Sequence, residues 1–311
     1  MGEVSWHVDD SPPTPWTRVY VWLMWLARDK QAFEGADHTR ETALERQSAD
    51  DRPPTWWTRR RLQLEHEHRA DLRVWRVRPR RSEPRVRVLY LHGGGYVHPL
   101  TKDYWRLVRA LASAPAEVVV PADPLAPGAT VDEVLPLLTD LAEDSTRGLP
   151  LVVMGDSAGG ALTLSIGVEL RERGVHPAAL VGLSPWLDAT LDESEVRDLE
   201  ATDPMLAESG LRAAGRWWAR PHPPTDPRVS PVDADLSGLP PIHVLVGRRD
   251  ILRPAVDRLA DRVRETDGAR LVVRERTAMF HVWMTRFIPE GRATRQWLRS
   301  FVISSSFLRS E

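Results

Sequence analysis

The stretch Pro150-Leu-Val-Val-Met-Gly-Asp-Ser157-Ala-Gly-Gly-Ala-Leu-Thr-Leu164 decides how this chain is read. A short apolar run stops at a glycine. A serine, two glycines and a helix-forming run follow. Gly-x-Ser-x-Gly at such a junction is a strand-turn-helix elbow that lifts a serine hydroxyl above the end of a sheet. The tight turn forces the serine into a strained backbone geometry. Gly155 and Gly159 are small because strand and helix nearly touch there. The blander alternative is an ordinary βα turn with Ser157 capping the helix.

Upstream, Val86-Arg-Val-Leu-Tyr-Leu-His92-Gly93-Gly94-Gly95-Tyr96 again feeds a strand into glycines. Three glycines leave backbone N–H groups uncovered, free to face a negative charge developing on a carbonyl oxygen. A nucleotide-phosphate turn fits poorly, because neither Gly-x-Gly-x-x-Gly nor Gly-Lys-Ser/Thr spacing is present. His92 directly precedes Gly93, a position suited to shaping the loop by hydrogen bonding.

Downstream the chain supplies an acid and then a base. In Pro241-Ile-His-Val-Leu-Val-Gly247-Arg-Arg-Asp250, a strand ends at Gly247 and Asp250 sits in the loop beyond. Loops at the carboxyl ends of parallel strands open on one face of a sheet, so Asp250 is placed to orient a histidine. Its alternative is a cap for the helix beginning near Pro254. Of ten histidines only His281 follows Asp250, in a loop after a strand near 270–275. The alternative for His281 is a satisfied core histidine. His66 and His68 form a His-x-His pair without further ligands at a plausible spacing, so no metal is expected.

With these residues in view, the chain resembles the hormone-sensitive-lipase-like branch of the α/β-hydrolases, the bacterial family IV esterases. His-Gly-Gly-Gly-Tyr at 92–96 and Gly-Asp-Ser-Ala-Gly-Gly at 155–160 are that family's two signatures. Pro124-Leu-Ala-Pro127 is similar to a segment lying between them. The resemblance implies an α/β-hydrolase fold with a helical cap and hydrolysis of small or medium acyl esters without a cofactor. It assigns Ser157 as nucleophile, His281 as base and Asp250 as the acid orienting it. It assigns the oxyanion hole to the backbone of Gly94, Gly95 and Ala158. Lactone or amide hydrolysis, or binding without catalysis, would suit the same fold. The chain departs from the family in carrying Asp123-Pro124 where Tyr-Arg is common, Gly128 where Glu is common and Ala278 where Gly is common. Arg248 and Arg249 flank the acid. The first changes remove charges that brace the loops near the nucleophile. Tyr96, Trp186, Met205, Trp217 and Trp218 are candidates for an apolar acyl pocket, although ordinary core and cap packing is the better reading of any single one.

From residue 86 strands and helices alternate, which predicts a mostly parallel sheet with right-handed crossovers. Strands are expected near 86–91, 117–121, 150–154, 179–184, 242–246 and 270–275, with helices near 103–113, 131–143, 158–172, 254–265 and 290–302. An antiparallel pair, 62–69 and 72–78, turns about Ala70-Asp71. Residues 1–60 read as helical and loop-rich, and with the insertion 186–237 they are expected to form the cap of a single domain.

A net charge of −2 gives no global field for nucleic acid or anionic lipid. Arg59, Arg60 and Arg61, and Arg78, Arg80 and Arg81, read as solvated strand ends without an interleaved aromatic platform. The absence of cysteine excludes disulfide and thiol chemistry. The N-terminus lacks the basic start and apolar core of a signal peptide. Val19–Ala27 is apolar but too short to span a bilayer, and reads as a helix covering the active-site mouth or packing on the core, with shallow membrane contact through its tryptophans as the alternative. A cytoplasmic protein without stable membrane insertion is therefore expected, with a small-molecule ester as partner. Homodimerisation through the last strand, near 270–275, is a further expectation.

Overall fold

The computed structural model describes residues 1–49, 53–69 and 71–305. The strands are β1 (Glu3–Asp9), β2 (Leu62–Arg69), β3 (Leu72–Pro79), β4 (Val86–Leu91), β5 (Ala116–Ala122), β6 (Leu151–Asp156), β7 (Ala179–Leu183), β8 (Ile242–Gly247) and β9 (Arg270–Arg276). They form one sheet in the order β1-β9-β8-β7-β6-β4-β5-β3-β2. β2 and β3 pair antiparallel, as do β3 and β5; the remaining neighbours run parallel. The tip of the β2–β3 hairpin at Ala70 lies outside the described residues.

The central strands read as apolar runs because both of their faces are covered. Alternate residues feed two cores, as the pleat requires. Leu89 and Leu91 of β4 join one, with α5 (Val131–Asp144), α6 (Ala158–Glu172) and α9 (Pro254–Glu265). Val88 and Tyr90 join the other, with α4 (Tyr104–Leu111) and α10 (Pro289–Ser305). Each fully buried valine or leucine contributes about 1.5–3 kcal/mol.

The N-terminus corrects the sequence reading. Residues 3–9 are not helical or loop-like. They form β1, parallel to β9 from Glu3 beside Arg270 to Asp9 beside Arg276. Glu-Val-Ser-Trp-His-Val-Asp alternates polar and apolar residues, the period of a half-buried strand, but the stretch is short and carries only three apolar residues. Side chains anchor it: Trp6 Nε1 donates to Glu275 (3.2 Å), and the Arg253 guanidinium lies 5.6 Å from the Trp6 ring centre. β1 also occupies the outer edge of β9, so pairing two copies through 270–275 would first require displacing it.

The rest of the first sixty residues is helical, with α1 (Pro15–Ala27), α2 (Ala36–Ser48) and α3 (Trp56–Arg61). The insertion after β7 carries α7 (Val196–Glu200) and α8 (Glu208–Ala219). α1 lies on α10, where Glu290 accepts from the Thr14 amide (2.6 Å) and the Thr17 hydroxyl. α2 packs on α8. The contact is close: a Cβ on Gly210 would sit 2.4 Å from Thr39 Oγ1. Among the described residues no helix is long and apolar enough to cross a membrane.

Candidate active site

Ser157 stands between β6 and α6 with φ 53° and ψ −119°. A non-glycine residue rarely adopts such a backbone, and the surroundings impose it. A Cβ on Gly155 would lie 2.1 Å from Gly159 O, and one on Gly159 would lie 2.2 Å from Leu91 O. The Ser157 amide donates to Leu183 O, and its carbonyl accepts from the Trp186 amide, both at 2.9 Å. Its side chain does not cap α6. That leaves the hydroxyl at the wall of a cavity of about 570 Å³ that His281 also borders.

His281 and Asp250 meet beyond the ends of β9 and β8. His281 Nδ1 lies 2.9 Å from Asp250 Oδ2, and both residues are buried. The two loops nearly touch, since a Cβ on Gly247 would fall 2.4 Å from Met279 O. Asp250 therefore does not cap α9; its other oxygen accepts from the Leu252 amide (3.0 Å). Burial opposes protonation of His281. The charge and hydrogen bond of Asp250, with the charges of Asp203 and Asp156, outweigh it and raise the imidazole above its ordinary range. An imidazole so held keeps Nε2 free to exchange a proton with a neighbour.

The glycine loop lies beside the elbow. A Cβ on Gly93 would lie 2.9 Å from Ser157 Cβ. Gly94 and Gly95 have φ 113° and 63°. Among the described residues their amides make no backbone hydrogen bond. The Ala158 amide opens α6 and so has no intrahelical acceptor. His92 Nδ1 donates to Gly93 O (2.7 Å), and its Nε2 lies 3.5 Å from Asp123 Oδ1. The loops are braced from α2 as well: Gln47 Nε2 donates to Val97 O (2.8 Å) and Ala126 O (2.9 Å). The Asp123-Pro124 departure thus leaves the loops supported, by a residue to which no motif pointed.

Two positioning groups lie in the pairs Asp203-Pro204 and Ser184-Pro185, which resemble pairs of the family but were given no site role from the sequence. Asp203 is buried against the Asp250 turn and accepts from the amides of Met205 (2.7 Å), Leu206 (3.1 Å) and Ile251 (3.1 Å). Burial, then the charge of Asp250, push its carboxyl up to about 6. Ser184 Oγ accepts from the Val282 amide (3.1 Å), next to His281. Asp156, beside the nucleophile position, is also pushed up to about 6 by burial. Tyr90 OH and the Gly93 amide, both donating to Oδ1, act against that shift.

The expected aromatic pocket is largely elsewhere. Only Met205 of the five candidates borders the cavity. Tyr96 stacks on Trp218 (centroids 4.5 Å apart) and packs beside Trp186 (5.3 Å), and all three are buried. Trp217 packs against the same core. Phe33, His98, Leu206 and Thr285 border the cavity instead, with Arg28, Asp29, Arg46, Lys102, Asp103 and Arg286 among the charged groups. Among the described residues no cluster of side chains could hold a metal ion.

The sequence pattern of the α/β-hydrolase fold family matches residues 88–285. The chain belongs to this family of hydrolases. An acetyl-hydrolase of Streptomyces hygroscopicus is 30% identical over 243 residues, covering 75% of this chain and 78% of that one. An esterase of Acinetobacter venetianus is 29% identical over 58% of this chain and 62% of its own length. Among solved structures, EstE5 superposes with a TM-score of 0.81 at 24% identity, over 95% of this chain and 100% of that one. An esterase of the bacterial hormone-sensitive lipase family superposes at 0.78, with the same identity and coverage. These structures share the fold.

Proposed function

We propose that this protein is a serine esterase in which Ser157, His281 and Asp250 act as a triad on small or medium acyl esters. The observation that carries the reading is the Asp250–His281 hydrogen bond, with His281 bordering one cavity together with a serine on a strained elbow. His281 Nε2 takes the Ser157 proton as Oγ attacks the ester carbonyl. Asp250 holds Nδ1–H and stabilises the imidazolium. The amides of Gly94, Gly95 and Ala158 receive the oxyanion, and losing one such donor costs about 3 kcal/mol of transition-state stabilisation. The alcohol leaves with the proton from His281, and water then releases the acid from the acyl-enzyme by the same route. A cavity of about 570 Å³ lies within the range of small-molecule sites, which supports esters of modest size. The cap reading has support in α2, which borders this cavity and packs on α8.

The test is hydrolysis of p-nitrophenyl esters from acetate to laurate by the native chain and by Ser157→Ala. Activity on the shorter esters that vanishes in the variant is expected. A folded native protein that neither turns over any ester nor labels at Ser157 with a fluorophosphonate would overturn the reading.

A further inference from the structure

Two features of the surface have no role in ester hydrolysis. The first is the outer side of α1. Thr17, Val21 and Met24 face inward, while Trp16, Val19, Trp22, Leu23 and Leu26 form a stripe on the opposite side. Trp22 is 59% exposed and Leu26 61%. A soluble helix ordinarily presents polar residues there. The second is a groove of about 830 Å³ lined by eight arginines and no acidic side chain. They include Arg61 of α3, Arg81 after β3, Arg106 and Arg109 of α4, and Arg292 and Arg295 of α10. The two basic clusters of the sequence thus converge on one site.

The groove is positive and largely uncompensated. Among the described residues, the side chains of Arg61, Arg81, Arg109 and Arg292 have no hydrogen-bond or ion-pair partner. Burial, followed by the neighbouring Arg106, Arg109 and Arg292, lowers Arg295 to about 10. Arg109 is lowered by burial, Arg106 and Arg61. Guanidiniums that repel one another in a half-buried groove gain when an anion enters. Aromatic rings sit among them, contrary to the sequence reading: Arg60 lies over Trp56 (5.3 Å) and Arg106 over Phe287 (5.6 Å).

The two features are continuous. Trp16 Nε1 donates to Phe287 O (3.1 Å), and the Phe287 ring, 70% exposed, borders the groove. Ala27 and Arg28, at the end of α1, border the cavity that holds Ser157 and His281. We propose that α1, Phe287 and the arginine groove form one face that docks on an anionic lipid bilayer, with the mouth of the catalytic cavity beside it. Tryptophans and aliphatic side chains enter the headgroup–acyl boundary, as in interfacial helices. The arginines hold lipid phosphates. The aliphatic stripe favours lipid over a nucleic acid, which would have no use for Val19, Leu23 and Leu26.

The test is co-sedimentation of the full chain with phosphatidylcholine vesicles, with and without about one third phosphatidylglycerol. Ser157→Ala protein serves equally, so the result does not depend on hydrolysis. Binding to the anionic vesicles, lost at about 0.5 M salt, is expected. Arg61→Glu combined with Arg292→Glu, and separately Trp22→Ser with Leu26→Ser, should each weaken it by at least about tenfold. Circular dichroism and hydrolysis of a soluble short ester should stay unchanged in both. Three outcomes would overturn the proposal. One is absence of vesicle binding at low salt. Another is preference for an oligonucleotide over vesicles in competition. The third is a dimer that buries α1 and ignores lipid.

Discussion

Asp203 and Asp250 are held by consecutive peptide groups of one turn: the Ile251 amide donates to Asp203 Oδ2 (3.1 Å) and the Leu252 amide to Asp250 Oδ1 (3.0 Å). Neither carboxyl is exposed. Asp250 disfavours ionisation of Asp203, while both favour protonation of His281. The base therefore sits in a cluster of acids, and its basicity depends on more than its direct partner.

The acid limb of the pH–activity profile tests this. A general base works when neutral, so kcat/KM should rise with pH through a value above the ordinary ~6.5 of histidine. Asp203→Asn removes one charge that raises His281. Its acid limb should move to lower pH, although the replaced side chain touches no reacting atom. A profile identical to wild type would refute the coupling.

Asp156 gives a stability prediction. Its folded-state carboxyl is raised to about 6, so it adds stability at low pH that is lost as pH rises through about 6. Asp156→Asn keeps the Oδ1 acceptor for Tyr90 OH and the Gly93 amide. Relative to wild type, the variant should therefore gain stability between about pH 4 and pH 7. Chemical denaturation at the two pH values measures the difference, and a constant offset between the proteins would count against it.

Ser184→Ala leaves the buried Val282 amide without its acceptor, at a cost of about 1–3 kcal/mol. Val282 has φ 45° and is β-branched, so this amide helps hold a strained backbone beside the base. We expect kcat to fall several-fold with KM little changed, because the substrate cavity is intact. A KM effect without a kcat effect would show that Ser184 acts elsewhere.

The elbow glycines should differ in tolerance. On Gly155 and Gly159 a new Cβ meets backbone oxygens at 2.1 and 2.2 Å, whereas on Gly160 it meets Pro185 Cβ at 2.7 Å. Gly155→Ala and Gly159→Ala should therefore fail to give folded protein. Gly160→Ala should fold with reduced stability. Soluble yield and circular dichroism decide between these outcomes.

What was legible in the sequence follows from the range of the forces involved. The elbow at Ser157, the glycine loop and the strand–loop placement of Asp250 and His281 are local patterns, and the structure has them at those positions. The parallel strands were legible because burial on both faces leaves continuous apolar runs. Asp203 was visible only as one of several family-like Asp-Pro pairs, and its part in the site emerges when the insertion folds back against Ile251. The aromatic candidates misled for the opposite reason. Tyr96, Trp186 and Trp218 have the chemistry of a pocket, but they satisfy one another by stacking in the core. β1 shows the alternation of a half-buried strand, but three apolar residues are a weak signal until the distant partner β9 is in place.

That pairing orders events during synthesis. β1 leaves the ribosome before every other strand, yet its partner β9 is made last of the nine. The nascent chain must carry Val4, Trp6 and Val8 unpaired while eight strands are assembled behind them. Such distant pairing is slow to form, and it exposes an unsatisfied edge to chaperones and to neighbouring chains. The last strand pair to close is then also the one that seals the sheet.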